Sequence, residues 1–112
     1  MRNNYADTDA QPELLQHSPA DNTAAVCTKA ADSEQFWVVA WITWSYDDTP
    51  TGGNLVVDVV GTTVLEVDIT TGGPGQLEFN YPLYVGTKNE ALTVTLAAPG
   101  AGKAGKLNVR IR

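Results

Sequence analysis

Four runs separated by glycine and proline clusters alternate apolar and polar residues with a period of two, which restricts them to β-strands. In "LVVDVV", Leu55, Val57 and Val59 fall on one side and Asp58 on the other. "TVLEVDIT" sets Leu65, Val67 and Ile69 against Glu66 and Asp68. "ALTVTLA" opposes Leu92, Val94 and Leu96 to Thr93 and Thr95. "KLNVRIR" opposes Leu107, Val109 and Ile111 to Lys106, Asn108 and Arg110. A strand collects each apolar set on one face, and four such faces need a shared interior. Each of these aliphatic side chains stabilises the fold by roughly 1.5–3 kcal/mol when fully buried.

"TAAVCTKA" (23–30), "QFWVVAWITWSY" (35–46) and "QLEFNY" (76–81) read as further strands, with Pro82 closing the last. Between them, "DDTPTGGN" (47–54), "TGGPG" (71–75) and "APGAGKAG" (98–105) are turn clusters, where Pro presets φ and Gly accepts positive φ. A tight turn at Gly61-Thr62 predicts a hairpin joining 55–60 to 63–70. The pattern as a whole predicts one all-β domain over residues 23–112, an antiparallel β-sandwich of jelly-roll or immunoglobulin-like type. Residues 1–22 are polar, carry Pro12 and Pro19, and read as an extended, flexible N-terminal arm with Leu14 and Leu15 as its anchors.

Charge narrows the partners. The 112 residues carry seven Lys and Arg against thirteen Asp and Glu, a net charge of −6, so neither a phosphate backbone nor an anionic membrane surface is an expected partner. The single cysteine, Cys27, cannot form a disulfide within the chain or build a multi-thiolate metal site. "MRNNYADTDAQPELL" lacks the apolar stretch of a signal peptide, and the run from Phe36 to Ile42 is too short to span a bilayer. Synthesis in a cytosol without classical secretion is the expectation.

The richest stretch is "FWVVAWITWSYDD" (36–48). Period two puts Phe36, Val38, Ala40, Ile42, Trp44 and Tyr46 on a core face. Trp37, Val39 and Trp41 share the opposite face with Thr43 and Ser45. A solvated sheet face does not carry that much apolar area without cover. The cover is either the N-terminal arm, a partner or subunit anchored on the tryptophans, or a sugar stacked on them. Sugar stacking needs Asn, Asp or Gln nearby, and this strand supplies only Thr43 and Ser45. A partner or subunit interface of Trp37, Val39, Trp41, Leu14 and Leu15 is therefore the expectation.

Catalytic and metal chemistry find no complete set of parts. Asp47-Asp48 lacks the alternating ligand spacing of a calcium loop and suits turn geometry. "GAGKAGKL" (100–107) copies the glycine–lysine core of a phosphate loop, but Leu107 stands where Ser or Thr is needed and a strand follows instead of a helix. His17 is the only histidine and falls in the arm, so no nucleophile has a fixed base. Glu66 and Asp68 lie about 7 Å apart along one strand, a spacing a glycosidase pair would tolerate, but on a solvated face without a cleft. No catalytic, metal-ligating or cofactor-binding residue is assigned, and the chain is not expected to be an enzyme.

The runs "HSPADNTAAV" (17–26), "WSYDDTPTGGNL" (44–55), "VDITTGGPGQLEF" (67–79) and "LTVTLAAPGAGKAGKLNV" (92–109) resemble short structural proteins of tailed bacteriophages and prophages. The likeness covers most of the chain after residue 16, and its landmarks are turns of a β fold. It implies a virion structural protein, foremost a head decoration or cement protein. Such a protein would be a homo-oligomer, commonly a trimer, bound to the major capsid protein on the capsid surface after synthesis in the host cytoplasm. A carbohydrate- or ligand-binding sandwich module and a tail or baseplate component are the alternatives. Trp37 and Trp41 lie outside the matching landmarks, so the resemblance assigns them no role.

Overall fold

A computed structural model describes residues 13–34, 37–79 and 89–111, and within them the chain forms eight β-strands. They are β1 (Glu13–His17), β2 (Ala25–Lys29), β3 (Val39–Tyr46), β4 (Gly53–Val59), β5 (Thr62–Ile69), β6 (Gly73–Glu78), β7 (Leu92–Leu96) and β8 (Gly105–Ile111). The pairs β1–β8, β2–β7, β3–β6 and β4–β5 are all antiparallel, as in one long ribbon. Additional pairing of β3 with β8 and of β4 with β7 closes that ribbon into two sheets, β1-β8-β3-β6 and β2-β7-β4-β5. This is the jelly-roll form of the expected sandwich.

The alternating runs form its interior. Leu55, Val57, Leu92, Val94, Leu96, Leu107, Val109 and Ile111 are all buried, with Ala25, Cys27 and Ile42 among them. On β5 only Ile69 is fully buried, while Leu65 and Val67 are half-buried, because β5 lies at the margin of its sheet. Tyr46 fills the same core and donates its hydroxyl to the Ala97 carbonyl at 2.7 Å, and burial pushes its phenol up from the ordinary value. Burial likewise pushes the Cys27 thiol up, which suits a packing residue rather than a nucleophile.

Two expected boundaries move. Residues 13–17 are an edge strand, not a loose arm: β8 pairs with β3 on one side, and β1 satisfies its other side. Leu15 packs inward, and the His17 Nδ1 accepts the Val26 N–H at 2.9 Å, tying β1 to the opposite sheet. Residues 1–12 of the expected arm lie outside the described residues. The expected loop 71–75 is also shorter, since β6 begins at Gly73; Pro74 is tolerated because β6 is an edge strand that needs no donor on its free side.

The β4–β5 hairpin turns one residue earlier than Gly61-Thr62. Val59 pairs with Thr62, leaving Val60 (φ 50) and Gly61 (φ 76) as the central residues of a type I′ turn. Positive φ suits Gly61 but strains the β-branched, exposed Val60. Val60→Asn therefore relieves the strain, and it is expected to raise unfolding stability by about 1 kcal/mol in urea denaturation. An unchanged or lower midpoint would show the turn to be unstrained.

Candidate functional site

The site is built on β3 and its neighbours, and a bulge decides which side chains reach it. The pairing with β8 shifts between Val39 and Trp41, so Ala40 is an extra residue and the alternation slips there. The Ala40 carbonyl accepts the Phe79 N–H at 3.1 Å. Val39, opposite Ile111, consequently turns into the core at 3% exposure, and its expected place on an interface is corrected. Trp41, opposite Arg110, keeps the outward direction.

The remaining expected interface residues divide in the same way. Trp37 is half-buried against the core, donating Nε1–H to the Ala30 carbonyl at 3.1 Å. The Lys29 ammonium sits 5.1 Å from its ring centroid and pairs with Glu13 at 2.6 Å, so this chain's own β1 and β2 cover that tryptophan. Leu15 is likewise packed on the core, whereas Leu14 is 40% exposed. Of the expected core strand, Ile42 and Tyr46 are buried, Val38 is only half-buried, and Phe36 lies outside the described residues. Trp44 points inward, but its indole lies over Gly75 of the edge strand, where even a methyl group would overlap the ring. The missing side chain lets the indole reach the rim, so Trp44 is half-buried rather than enclosed.

Outside the bulge, register stacks the outward side chains of β1, β8, β3 and β6 into three rows. The first runs Leu14, Arg110, Trp41, Glu78, with the guanidinium 5.7 Å from the Trp41 centroid. The second runs Gln16, Asn108, Thr43, Gln76. Here the Gln16 Nε2 donates to the Asn108 Oδ1 at 2.9 Å, and the Asn108 Nδ2 donates to the Thr43 Oγ1 at 3.2 Å. The third holds Lys106, Ser45 and Pro74. An open groove of about 470 Å³ runs over the last two rows, lined by Thr43, Ser45, Gln76, Lys106 and Asn108 together with Trp44, Pro74 and Gly75. It joins amide and hydroxyl groups and one cation.

The other candidate constellations serve the fold. Asp47 Oδ1 accepts the Ala104 N–H at 2.9 Å, and Asp48 Oδ1 accepts the Thr49 N–H at 2.7 Å. The glycine-rich loop is clasped rather than loose: the Gly100 and Gly102 N–H groups donate to the side chains of Asn22 and Asp21 at 3.0 and 3.1 Å. Lys103, inside this loop, donates to the Thr49 carbonyl at 2.6 Å, while Lys106, the lysine of the phosphate-loop look-alike, stands on strand β8. Glu66 accepts from Asn54 at 3.1 Å on the outer face of the second sheet. Among the described residues, no group of three or more His, Cys, Asp or Glu is placed to hold a metal ion.

Sequence reasoning missed Gln16, Gln76, Lys106 and Asn108 as neighbours of Trp41 and Thr43. The alternation of "KLNVRIR" already put Lys106 and Asn108 on an outer side. That β8 lies beside β3 is a property of topology, which the alternation does not encode.

No protein-family model and no curated protein matches the sequence. Among solved structures, the CBM36-1 domain of a multidomain xylanase from the hindgut metagenome of Trinervitermes trinervoides aligns with a TM-score of 0.50 at 10% identity, covering 90% of this chain and 95% of that one. A carbohydrate-binding module CBM36 in complex with calcium and xylotriose aligns at 0.42 and 12% identity, over 96% and 89% of the two chains. Dimeric latent PorU from Porphyromonas gingivalis aligns at 0.48 and 12% identity, with 99% of this chain covering 13% of that protein. At these identities the first likeness establishes a shared β-sandwich fold and nothing finer, and the two below 0.5 carry no further weight.

The two tryptophans differ in a measurable way. Trp37→Ala removes core contacts and the N–H bond to Ala30, and is expected to cost about 2–3 kcal/mol in urea denaturation, less than the ~3–5 of a fully enclosed aromatic. Trp41→Ala loses one half-buried cation–π pair on the outer face and should stay within about 1 kcal/mol of the parent. Equal losses would mean that Trp41 is also a core residue.

Proposed function

We propose that this chain is a non-catalytic glycan-binding module, and that its ligand lies across the outer face of the β1-β8-β3-β6 sheet. The observation that carries the reading is the groove over Thr43, Ser45, Gln76, Lys106 and Asn108. Sugars offer hydroxyls in a ring plane and weakly apolar ring faces. The amide row and the two hydroxyl side chains supply donors and acceptors for the first, and the outward Trp41 ring supplies a surface for the second. Held by the Gln16–Asn108–Thr43 chain of hydrogen bonds, the polar row needs little reordering to bind. The fold shared with a xylanase's carbohydrate-binding domain supports the same reading at the level of architecture.

A second reading keeps the chain on a virion, as a trimeric head decoration protein bound to the major capsid protein or as a tail or baseplate component. What favours it is Leu14, an exposed apolar side chain opposite Arg110, which itself packs on Trp41 at one end of the face. Together with the phage-like landmarks, that end suits a protein contact.

Affinity electrophoresis and a glycan array on the intact chain distinguish the two. Under the glycan reading the parent is retarded by at least one polysaccharide. Gln76→Ala with Asn108→Ala lowers that affinity about tenfold or more while the thermal midpoint moves only slightly, since each polar contact is worth about 0.5–1.5 kcal/mol. A chain that ignores every glycan, elutes as a trimer and binds emptied capsids would instead support the second reading.

A further inference from the structure

The two sheets present opposite charge to solvent. Outward positions of β4 and β5 carry Asp58, Glu66 and Asp68, and the outer face of that sheet has no Lys or Arg among the described residues. The outer face of the other sheet carries Lys106 and Arg110 against one carboxylate, Glu78, among the described residues. This is a local reversal in a chain of net charge −6.

The cations also differ in what already holds them. Lys29 is paired with Glu13, and Lys103 is bonded to the Thr49 carbonyl. Arg110 lies over Trp41, and its Nε is buried with no acceptor. Lys106 is exposed and, among the described residues, makes no hydrogen bond or ion pair. It stands in the groove beside Ser45 and Asn108. A lysine left without a counter-charge, in a groove lined by hydroxyl and amide side chains, is a place for a negative charge.

We infer that the groove selects an acidic polysaccharide, one whose sugars bear carboxylates, with Lys106 as the residue that recognises the carboxylate. This rests on the reading of the face as a glycan site. A single ammonium matches a singly charged carboxylate, and the neighbouring Ser45 hydroxyl and the second Nδ2–H of Asn108 are donors for its oxygens. Arg110 lies two pleats further along β8 on the same face, about 13–14 Å away, so a polymer with repeated carboxylates meets a second cation. The acidic second sheet repels such a polymer and steers it to this face. A sulfated polymer, with denser charge, needs more cations than the groove provides.

The test uses the intact chain with polygalacturonate, its carboxyl-reduced neutral counterpart and dextran sulfate, at 50 and 200 mM salt. Polygalacturonate is expected to bind at least tenfold more tightly than the reduced polymer and to weaken at the higher salt. Lys106→Met should remove most of that preference, weakening polygalacturonate at least fivefold more than it weakens the reduced polymer. Equal binding of the acidic and reduced polymers overturns the carboxylate inference but leaves the glycan reading standing. Tighter binding of dextran sulfate overturns it too. Binding to none of the three overturns the carboxylate inference, and a glycan array without a hit removes the glycan reading as well. Self-association abolished by Lys106→Met, without polymer binding, would make a second copy's acidic sheet the occupant.

Discussion

Everything in this molecule depends on the position of β8 between β1 and β3. The last strand pairs with the first on one side and the third on the other, which seals the β1-β8-β3-β6 sheet. Its inward residues Leu107, Val109 and Ile111 are at most 1% exposed and form the middle of the core. The outward ones, Lys106, Asn108 and Arg110, form the middle of the opposite surface. One strand thus supplies both the packing that holds the sheet and the polar side chains that define its outer face. Substitutions at alternate positions separate the two roles, because the pleat sends neighbours to opposite sides.

Two irregularities shape that face. Ala40 inserts a residue into β3, which turns Val39 into the core and lets Trp37 be covered by Lys29 and Ala30 of the same chain. Gly75 leaves a gap on β6 that the Trp44 indole fills from the inside. The outcome is one fully outward tryptophan, one at the rim and one covered, instead of a continuous apolar stripe. The loops at the far end are held by their own polar groups, as the Asp21, Asn22 and Asp47 bonds to the glycine-rich turn show. Those residues are occupied with geometry, whereas Lys106 on the sheet face has no partner among the described residues.

Much of the architecture was legible because burial on one side of a strand writes itself into alternate residues. Leu55, Val57, Leu92, Val94, Leu107 and Val109 needed no structure to be placed. Gly and Pro marked the loops, although β6 starts three residues before, and the Val60-Gly61 turn falls one residue before, the place composition put them. The face assignment along "FWVVAWITW" failed at one point for a physical reason. Period two holds only while the ladder is regular, and nothing in the residue types around Ala40 announces an insertion. The site was least legible of all. Its members come from positions 16, 43, 45, 76, 106 and 108, and only strand order brings them together. A search for sugar-binding amides along β3 alone found Thr43 and Ser45, while the amides stood on β1, β6 and β8.

The central claim is that the ligand-binding surface of this sandwich is the outer face of the β8-carrying sheet. Backbone amide chemical shifts followed by two-dimensional NMR, while an acidic oligosaccharide is titrated in, test it most directly. The account predicts saturable shifts confined to Thr43, Ser45, Gln76, Lys106, Asn108 and their strand neighbours, with β4 and β5 unmoved. Shifts centred instead on the loops around Asp47 and Gly100, or on the acidic face of Glu66 and Asp68, would contradict it.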